Sequence, residues 1–138
     1  MPRPYGALVV DDVAQHRTLL CIDLEDSGLF TVLDFASDGN EAIAKAAACK
    51  PDIILLDVSM PERDGLDALP EIKAVSPESK VVMLTSQEGD DMMAAAIDAG
   101  AEAYLIKGIS AETLIDALQQ IMAEDAAADE GDQRPSSS

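Results

Sequence analysis

Five times along the chain a short apolar run gives way to a longer segment of helical period, and this alternation most narrows what the sequence folds into. The runs are ALVV (7–10), TVLDFA (31–36), DIILLD (52–57), KVVMLT (80–85) and AYLIK (103–107). The intervening spacing predicts helices over 13–27, 39–49, 65–75, 90–99 and 110–123. Parallel neighbours need a crossover of roughly a dozen residues or more, usually a helix, so the pattern predicts a parallel α/β sheet. The third and fourth runs are almost continuously apolar, as central strands covered on both faces are.

The punctuation agrees. The first predicted helix interleaves Leu19, Leu20, Ile22 and Leu24 with His16, Arg17, Asp23, Glu25 and Asp26 and stops at Ser27-Gly28, while Gly100 terminates the fourth. Ser110 is placed to cap the last helix, whose inward stripe reads Leu114, Ile115, Leu118 and Ile121. From Glu124 the chain becomes EDAAADEGDQRPSSS, a polar, acidic stretch of the kind that stays disordered or links domains. The expected organisation is one domain over 1–123 and an acidic tail over 124–138. A chain of 138 residues suits a single substantial core, here an aliphatic one, since Tyr5, Phe30, Phe35 and Tyr104 are its only aromatics.

Lys and Arg number 9 against 27 Asp and Glu, a net charge of −18. Such a chain repels phosphate backbones and anionic lipid surfaces, which argues against direct nucleic-acid or membrane binding and favours cations and basic patches as partners. Cys21 and Cys49 show no CxxC or Cys/His spacing and read as reduced packing thiols, which suits a cytoplasmic chain. No stretch approaches the roughly 20 apolar residues of a membrane span, and MPRPYGALVV is too short in its apolar part for a secretory signal.

In an open doubly wound sheet the ligand site lies beyond the carboxyl ends of the strands, near the point where strand order reverses. The polar residues at those ends are Asp11 and Asp12 after the first run, Asp57 closing the third, Thr85 and Ser86 after the fourth, and Lys107 closing the fifth. In ALVVDDVAQ (7–15) two like charges stand side by side at the end of a buried run. Two anions about 4 Å apart repel by roughly 4 kcal/mol at an effective dielectric of about 20, so a cation should compensate. Three carboxylates suit a hard divalent ion such as Mg²⁺, which takes one or two of them with waters, a carbonyl or a phosphate oxygen. Together with Lys107 and a hydroxyl, such a site can hold a phosphoryl group, whose transfer depends mainly on positioning and charge neutralisation. One carboxylate then serves as nucleophile and forms an acyl phosphate. Asp57 is the choice, because it closes DIILLD and leads into VSMPERDG, where Pro61 and Asp64-Gly65 make a turn-rich loop over the site.

The Asp-Asp pair, the lone Asp followed by MPERDG, Thr85 after the fourth run and AYLIK ending at Lys107 together resemble the receiver domain of bacterial two-component response regulators, over roughly residues 5–123. The resemblance implies a flavodoxin-like (βα)5 fold, a doubly wound five-stranded parallel sheet in the order 2-1-3-4-5 with helices on both faces. It implies that Asp57 accepts a phosphoryl group from a sensor histidine kinase or a histidine phosphotransfer protein. Asp12 and Asp57 would ligate Mg²⁺ directly, with Mn²⁺ a substitute, Asp11 through a water and Ser59 through its carbonyl. Lys107 would pair with Asp57 and then with a phosphoryl oxygen, Thr85 would turn its hydroxyl to the phosphoryl group, and Tyr104 would change rotamer with it. Ser59 and Gln87 occupy the positions that tune phosphoryl lifetime. The switched surface, around helix four, strand five and helix five, would meet a downstream effector or a fused output domain, and a phosphorylation-dependent homodimer is among the partners it allows. Many such domains follow the lysine with a cis proline, but here Gly108 follows. A cis bond before a non-proline residue costs about 3 kcal/mol, which leaves the isomer at 107–108 open.

Competing readings are weaker. Phosphatases with an aspartyl-phosphate intermediate need an acid two residues after the nucleophile, where this chain has Ser59. A nucleotide or flavin site needs a phosphate-cradling loop after the first strand, where Asp11-Asp12 would repel phosphate. The serious alternative is a receiver-like module that is never phosphorylated and serves only in protein interaction. His16 reads as a solvated residue of the first helix.

Overall fold

The computed structural model describes residues 4–58, 65–85 and 90–131, and for 90–92 and 124–131 the backbone path alone. The elements alternate as β1 (Tyr5–Val10), α1 (Ala14–Asp26), β2 (Phe30–Ala36), α2 (Gly39–Cys49), β3 (Ile53–Asp57), α3 (Gly65–Val75), β4 (Lys80–Thr85), α4 (Asp90–Asp98), β5 (Ala103–Ile106) and α5 (Ala111–Gly131). The chain forms two units, Met1–Gly108 and Ile109–Ser138, so the first carries the whole sheet with α1 to α4 and the second carries α5.

The five strands are all parallel and lie in the order β2-β1-β3-β4-β5, the doubly wound topology expected from the sequence. The chain moves one way from β1 to β2 and the other way through β3, β4 and β5. Right-handed crossovers therefore place α1 on one face of the sheet and α2, α3 and α4 on the other. Leu8, Val10, Ile54, Leu56, Val81 and Met83 form a core with Ala42 and Ala46 of α2, Ala68, Leu69 and Ile72 of α3 and Ala96 of α4. Their neighbours in sequence, Ala7, Val9, Ile53, Leu55 and Val82, are fully buried as well, which explains why these runs read as continuously apolar.

Local signals set the element ends. Asp38 caps α2 by accepting from Glu41 N at 2.8 Å, and the Glu41 carboxylate reaches back to accept from Ser37 N at 2.7 Å. Two differences from the sequence reading stand out. In α1 only Leu24 is fully buried, while Leu19 and Ile22 are 59 % and 48 % exposed. The last helix, expected to end at 123, runs to Gly131. The added turns are alanine-rich, and alanine propagates a helix without needing tertiary contacts to favour it. Within α5 the buried stripe is Leu114, Leu118 and Met122, so Met122 takes the place expected for Ile121.

The free edge of β2 is closed by side chains. Val32 N donates to Glu25 Oε2 at 3.0 Å, Phe35 N to Asp34 Oδ1 at 2.8 Å and Ser37 N to Glu41 Oε1 at 2.7 Å, while Lys45 Nζ donates to the Phe35 carbonyl at 2.6 Å. The hydrogen bond from the Phe35 N–H, reinforced by Lys45, holds the Asp34 carboxyl below its ordinary range against the opposing effect of burial. An edge strand with unpaired amides is a template for another chain. The double variant Glu25→Ala/Glu41→Ala, which frees the amides of Val32 and Ser37, is expected to associate in a concentration-dependent way in sedimentation velocity, with stability lowered by no more than about 2 kcal/mol.

Candidate functional site

Every strand-end residue singled out from the sequence and described here lies on the carboxyl rim of the sheet. Asp11 follows β1, with its N–H bonded to the Ala36 carbonyl at 3.0 Å; Asp57 and Thr85 are the last residues of β3 and β4, and Lys107 follows β5 with its N–H on the Thr85 carbonyl at 2.6 Å. Ser59, Gln87 and the loop residues Pro61 and Asp64 lie outside the described residues.

Asp11 is fully buried, Asp57 is 2 % exposed and Asp12 faces solvent. Lys107 Nζ joins the two buried acids, 3.1 Å from Asp11 Oδ2 and 3.0 Å from Asp57 Oδ2. Burial works to lower the Lys107 pKa, but the carboxylates of Asp57 and then Asp11 outweigh it and hold the ammonium above its ordinary value. The turn carrying the acidic pair is held from both sides: Val13 N donates to Asp11 Oδ1 at 2.9 Å, and Arg17 Nη1 donates to the Asp11 main-chain oxygen at 2.8 Å. The Arg17 guanidinium also lies 5.0 Å from the centre of the Phe35 ring, which steadies it.

Asp11, Asp12 and Asp57 each offer a carboxylate oxygen, and these oxygens lie within 4.8 Å of one another. Opposite ligands of a cation with metal–oxygen distances of about 2.1 Å stand about 4.2 Å apart, close to the spacing these oxygens already have. A single ammonium against three carboxylates leaves the rim net negative, so the donor set fits a divalent cation in charge as well as in spacing.

Thr85 is 5 % exposed. Tyr104 stands opposite Met83 in the β4–β5 ladder and packs against the core at half burial. The Lys107–Gly108 peptide is trans, with Gly108 at φ +92°, so glycine accommodates at this point a left-handed turn rather than a cis bond.

Sequence reasoning placed Gly65 at the end of a turn and the start of a helix, yet it has a sharper role. A Cβ added there would stand 2.1 Å from the Asp57 carbonyl oxygen and 3.1 Å from Leu56 Cγ, because Gly65 N turns back to bond the Val58 carbonyl at 2.9 Å. The signal in the sequence was a glycine at the first position of a helix, where it weakens propensity and needs a reason. Gly65→Ala is expected to force β3 and α3 apart, costing about 1–3 kcal/mol in thermal denaturation and weakening divalent-ion binding in parallel. His16, expected to be a solvated residue, is half exposed but has Nδ1 3.8 Å from Asp11 Oδ2. It lies in the first turn of α1, where side chains lean toward the helix N-terminus and so toward the rim.

The chain belongs to the response regulator receiver domain family, whose model matches residues 7–119. It is 39 % identical over 113 residues to the chemotaxis protein CheY of Listeria monocytogenes, covering 82 % of this chain and 94 % of that one. It is 40 % identical over 118 residues to the transcriptional regulatory protein PdtaR of Mycobacterium tuberculosis, covering 84 % of this chain but only 56 % of that protein. Its fold matches the crystal structure of the CheX-CheY-BeF3-Mg²⁺ complex from Borrelia burgdorferi with a TM-score of 0.82 at 25 % identity, over 86 % of this chain and 90 % of that one. The family makes this chain a receiver domain of a response regulator, a signalling switch that works with kinases and with output or effector proteins. Its acidic rim is suited to a divalent metal, and among the described residues no helix is long and apolar enough to cross a membrane.

Proposed function

We propose that the chain accepts a phosphoryl group on Asp57 from a phosphohistidine of a sensor kinase or phosphotransfer protein in the cytoplasm. The observation that carries this reading is one buried carboxylate, Asp57, at the closed end of a central strand, with Lys107 at 3.0 Å and two further carboxylates beside it. An Asp57 carboxylate oxygen attacks phosphorus, the P–N bond of the donor breaks with its electron pair left on the imidazole, and a P–O bond forms to give an acyl phosphate. Asp12 and Asp57 would hold Mg²⁺ directly, Asp11 through a water and Ser59 through its carbonyl, with Mn²⁺ a substitute. Bound there, the ion supplies charge neutralisation for the carboxylates and phosphoryl oxygens.

Lys107, released from Asp57, follows the charge to a phosphoryl oxygen, and the Thr85 hydroxyl turns toward the same group. Tyr104, the second residue of β5, reports that movement to the surface around α4 and β5 and shifts the population of two arrangements. Ser59 and Gln87 tune how fast water removes the group, so the chain catalyses its own phosphorylation and dephosphorylation. The receiver domain is 1–123, and 124–138, whose first turns continue α5, is a tail or a linker to an output domain.

Incubation with a small phosphodonor and Mg²⁺ should add one phosphoryl group in the intact mass, removable by hydroxylamine as an acyl phosphate is. A wild-type chain that gains nothing would instead be an interaction module that is never phosphorylated.

A further inference from the structure

The chain has a single histidine, and it stands at the acidic rim. His16 Nδ1 lies 3.8 Å from Asp11 Oδ2 with half of the side chain exposed, so the imidazole has room to rotate. That separation exceeds a hydrogen bond, and the same carboxylate oxygen already faces Lys107 at 3.1 Å. The imidazole is therefore not committed to a plain ion pair with Asp11. Its placement is nevertheless fixed, because Arg17 ties the first turn of α1 to the Asp11 carbonyl at 2.8 Å.

Two donors 3.8 Å apart fit inside the roughly 4.2 Å between opposite ligands of a cation bound at about 2.1 Å. The three carboxylates lie within 4.8 Å of one another, and Asp11 is the one that His16 approaches. Imidazole and carboxylate ask for different ions. Mg²⁺ is satisfied by carboxylate, carbonyl and water, whereas imidazole suits Zn²⁺, Ni²⁺ and Cu²⁺, whose affinity for nitrogen ligands is also intrinsically higher.

We propose that His16 turns the carboxylate rim into a mixed nitrogen–oxygen site that takes late first-row divalent ions in preference to Mg²⁺, with the imidazole as the discriminating ligand. The proposal rests on the reading of Asp11, Asp12 and Asp57 as a divalent-ion site and adds a selectivity to it. An ion so held would occupy the carboxylates that Mg²⁺ needs.

Calorimetric titration of the full chain with Ni²⁺ and, separately, with Mg²⁺ tests this on the wild type, His16→Ala and Asp12→Asn. His16→Ala should lose at least about tenfold in Ni²⁺ affinity and change far less in Mg²⁺ affinity, while Asp12→Asn should weaken both. Paramagnetic Ni²⁺ should also broaden the His16 ring resonances in the wild type at equimolar ion. Ni²⁺ affinity unchanged in His16→Ala overturns the role of the histidine and leaves the carboxylate site standing. Ni²⁺ affinity lost in His16→Ala but kept in Asp12→Asn places the imidazole's ion elsewhere and also overturns it. A wild type that binds no Mg²⁺ overturns the acidic-site reading beneath it.

Discussion

Asp57→Asn should abolish phosphate incorporation outright while leaving the chain folded and, without divalent ions, more stable than the wild type. An amide of the same shape has no anionic oxygen with which to attack phosphorus, so the loss is expected to be complete in the intact mass rather than partial. The stability gain follows from the charges. Asp57 is 2 % exposed and has one ammonium at 3.0 Å, but it shares that ammonium with the buried Asp11 and also has Asp12 within 4.8 Å. Two anions about 4 Å apart repel by roughly 4 kcal/mol at an effective dielectric of about 20. Asparagine removes this repulsion and the desolvation of a carboxylate, and leaves Lys107 to Asp11 alone. Added Mg²⁺ should then raise the unfolding midpoint of the wild type more than that of the variant. A phosphate adduct that persists on Asp57→Asn would move the acceptor to another residue and sink the assignment.

The parts of this molecule that were legible in the sequence are those that depend on local periodicity or on position along a strand. The bounds expected for α2 and α3, 39–49 and 65–75, are the ones observed, because helical period between two apolar runs is a local property of the sequence. The rim residues were legible for a related reason: the ends of parallel strands must share one edge of the sheet, so Asp11, Asp57, Thr85 and Lys107 converge once the strands are placed. What escaped depends on distances that only the assembled chain sets. Lys107 was expected to pair with Asp57, and its equal approach to Asp11 at 3.1 Å needs β1 between β2 and β3, a fact of topology rather than of spacing. Gly65 is required by the Asp57 carbonyl, against which the start of α3 is set. The closed edge of β2 arises from carboxylates on α1 and α2 that look like ordinary solvating charges in the sequence. The extent of α5 was missed because an acidic, alanine-rich stretch satisfies both the composition of a linker and the propensity of a helix.

Lys107→Ala carries the opposite expectation from Asp57→Asn. The lysine side chain is 21 % exposed and lies within 3.1 Å of two carboxylates that are 1 % and 2 % exposed, so its removal leaves both acids buried without their shared cation. Removing one partner of a buried ion pair costs about 3–5 kcal/mol, and partial access of solvent to the lysine puts this case at the lower end of that range. The alkaline side separates the variant from the wild type. The folded-state pKa of Lys107 is raised above 10.5, so its stabilising contribution is complete below that pH and is lost as pH rises through the folded value. Denaturant midpoints measured across this range should fall for the wild type above about pH 10.5 and show a smaller fall in the variant. Mg²⁺ should restore a large part of the variant's loss near neutral pH, because a divalent ion neutralises the same carboxylates. A variant as stable as the wild type without Mg²⁺ and indifferent to it would show that the two acids are neutralised by something other than Lys107, and the electrostatic account of the rim would fall with it.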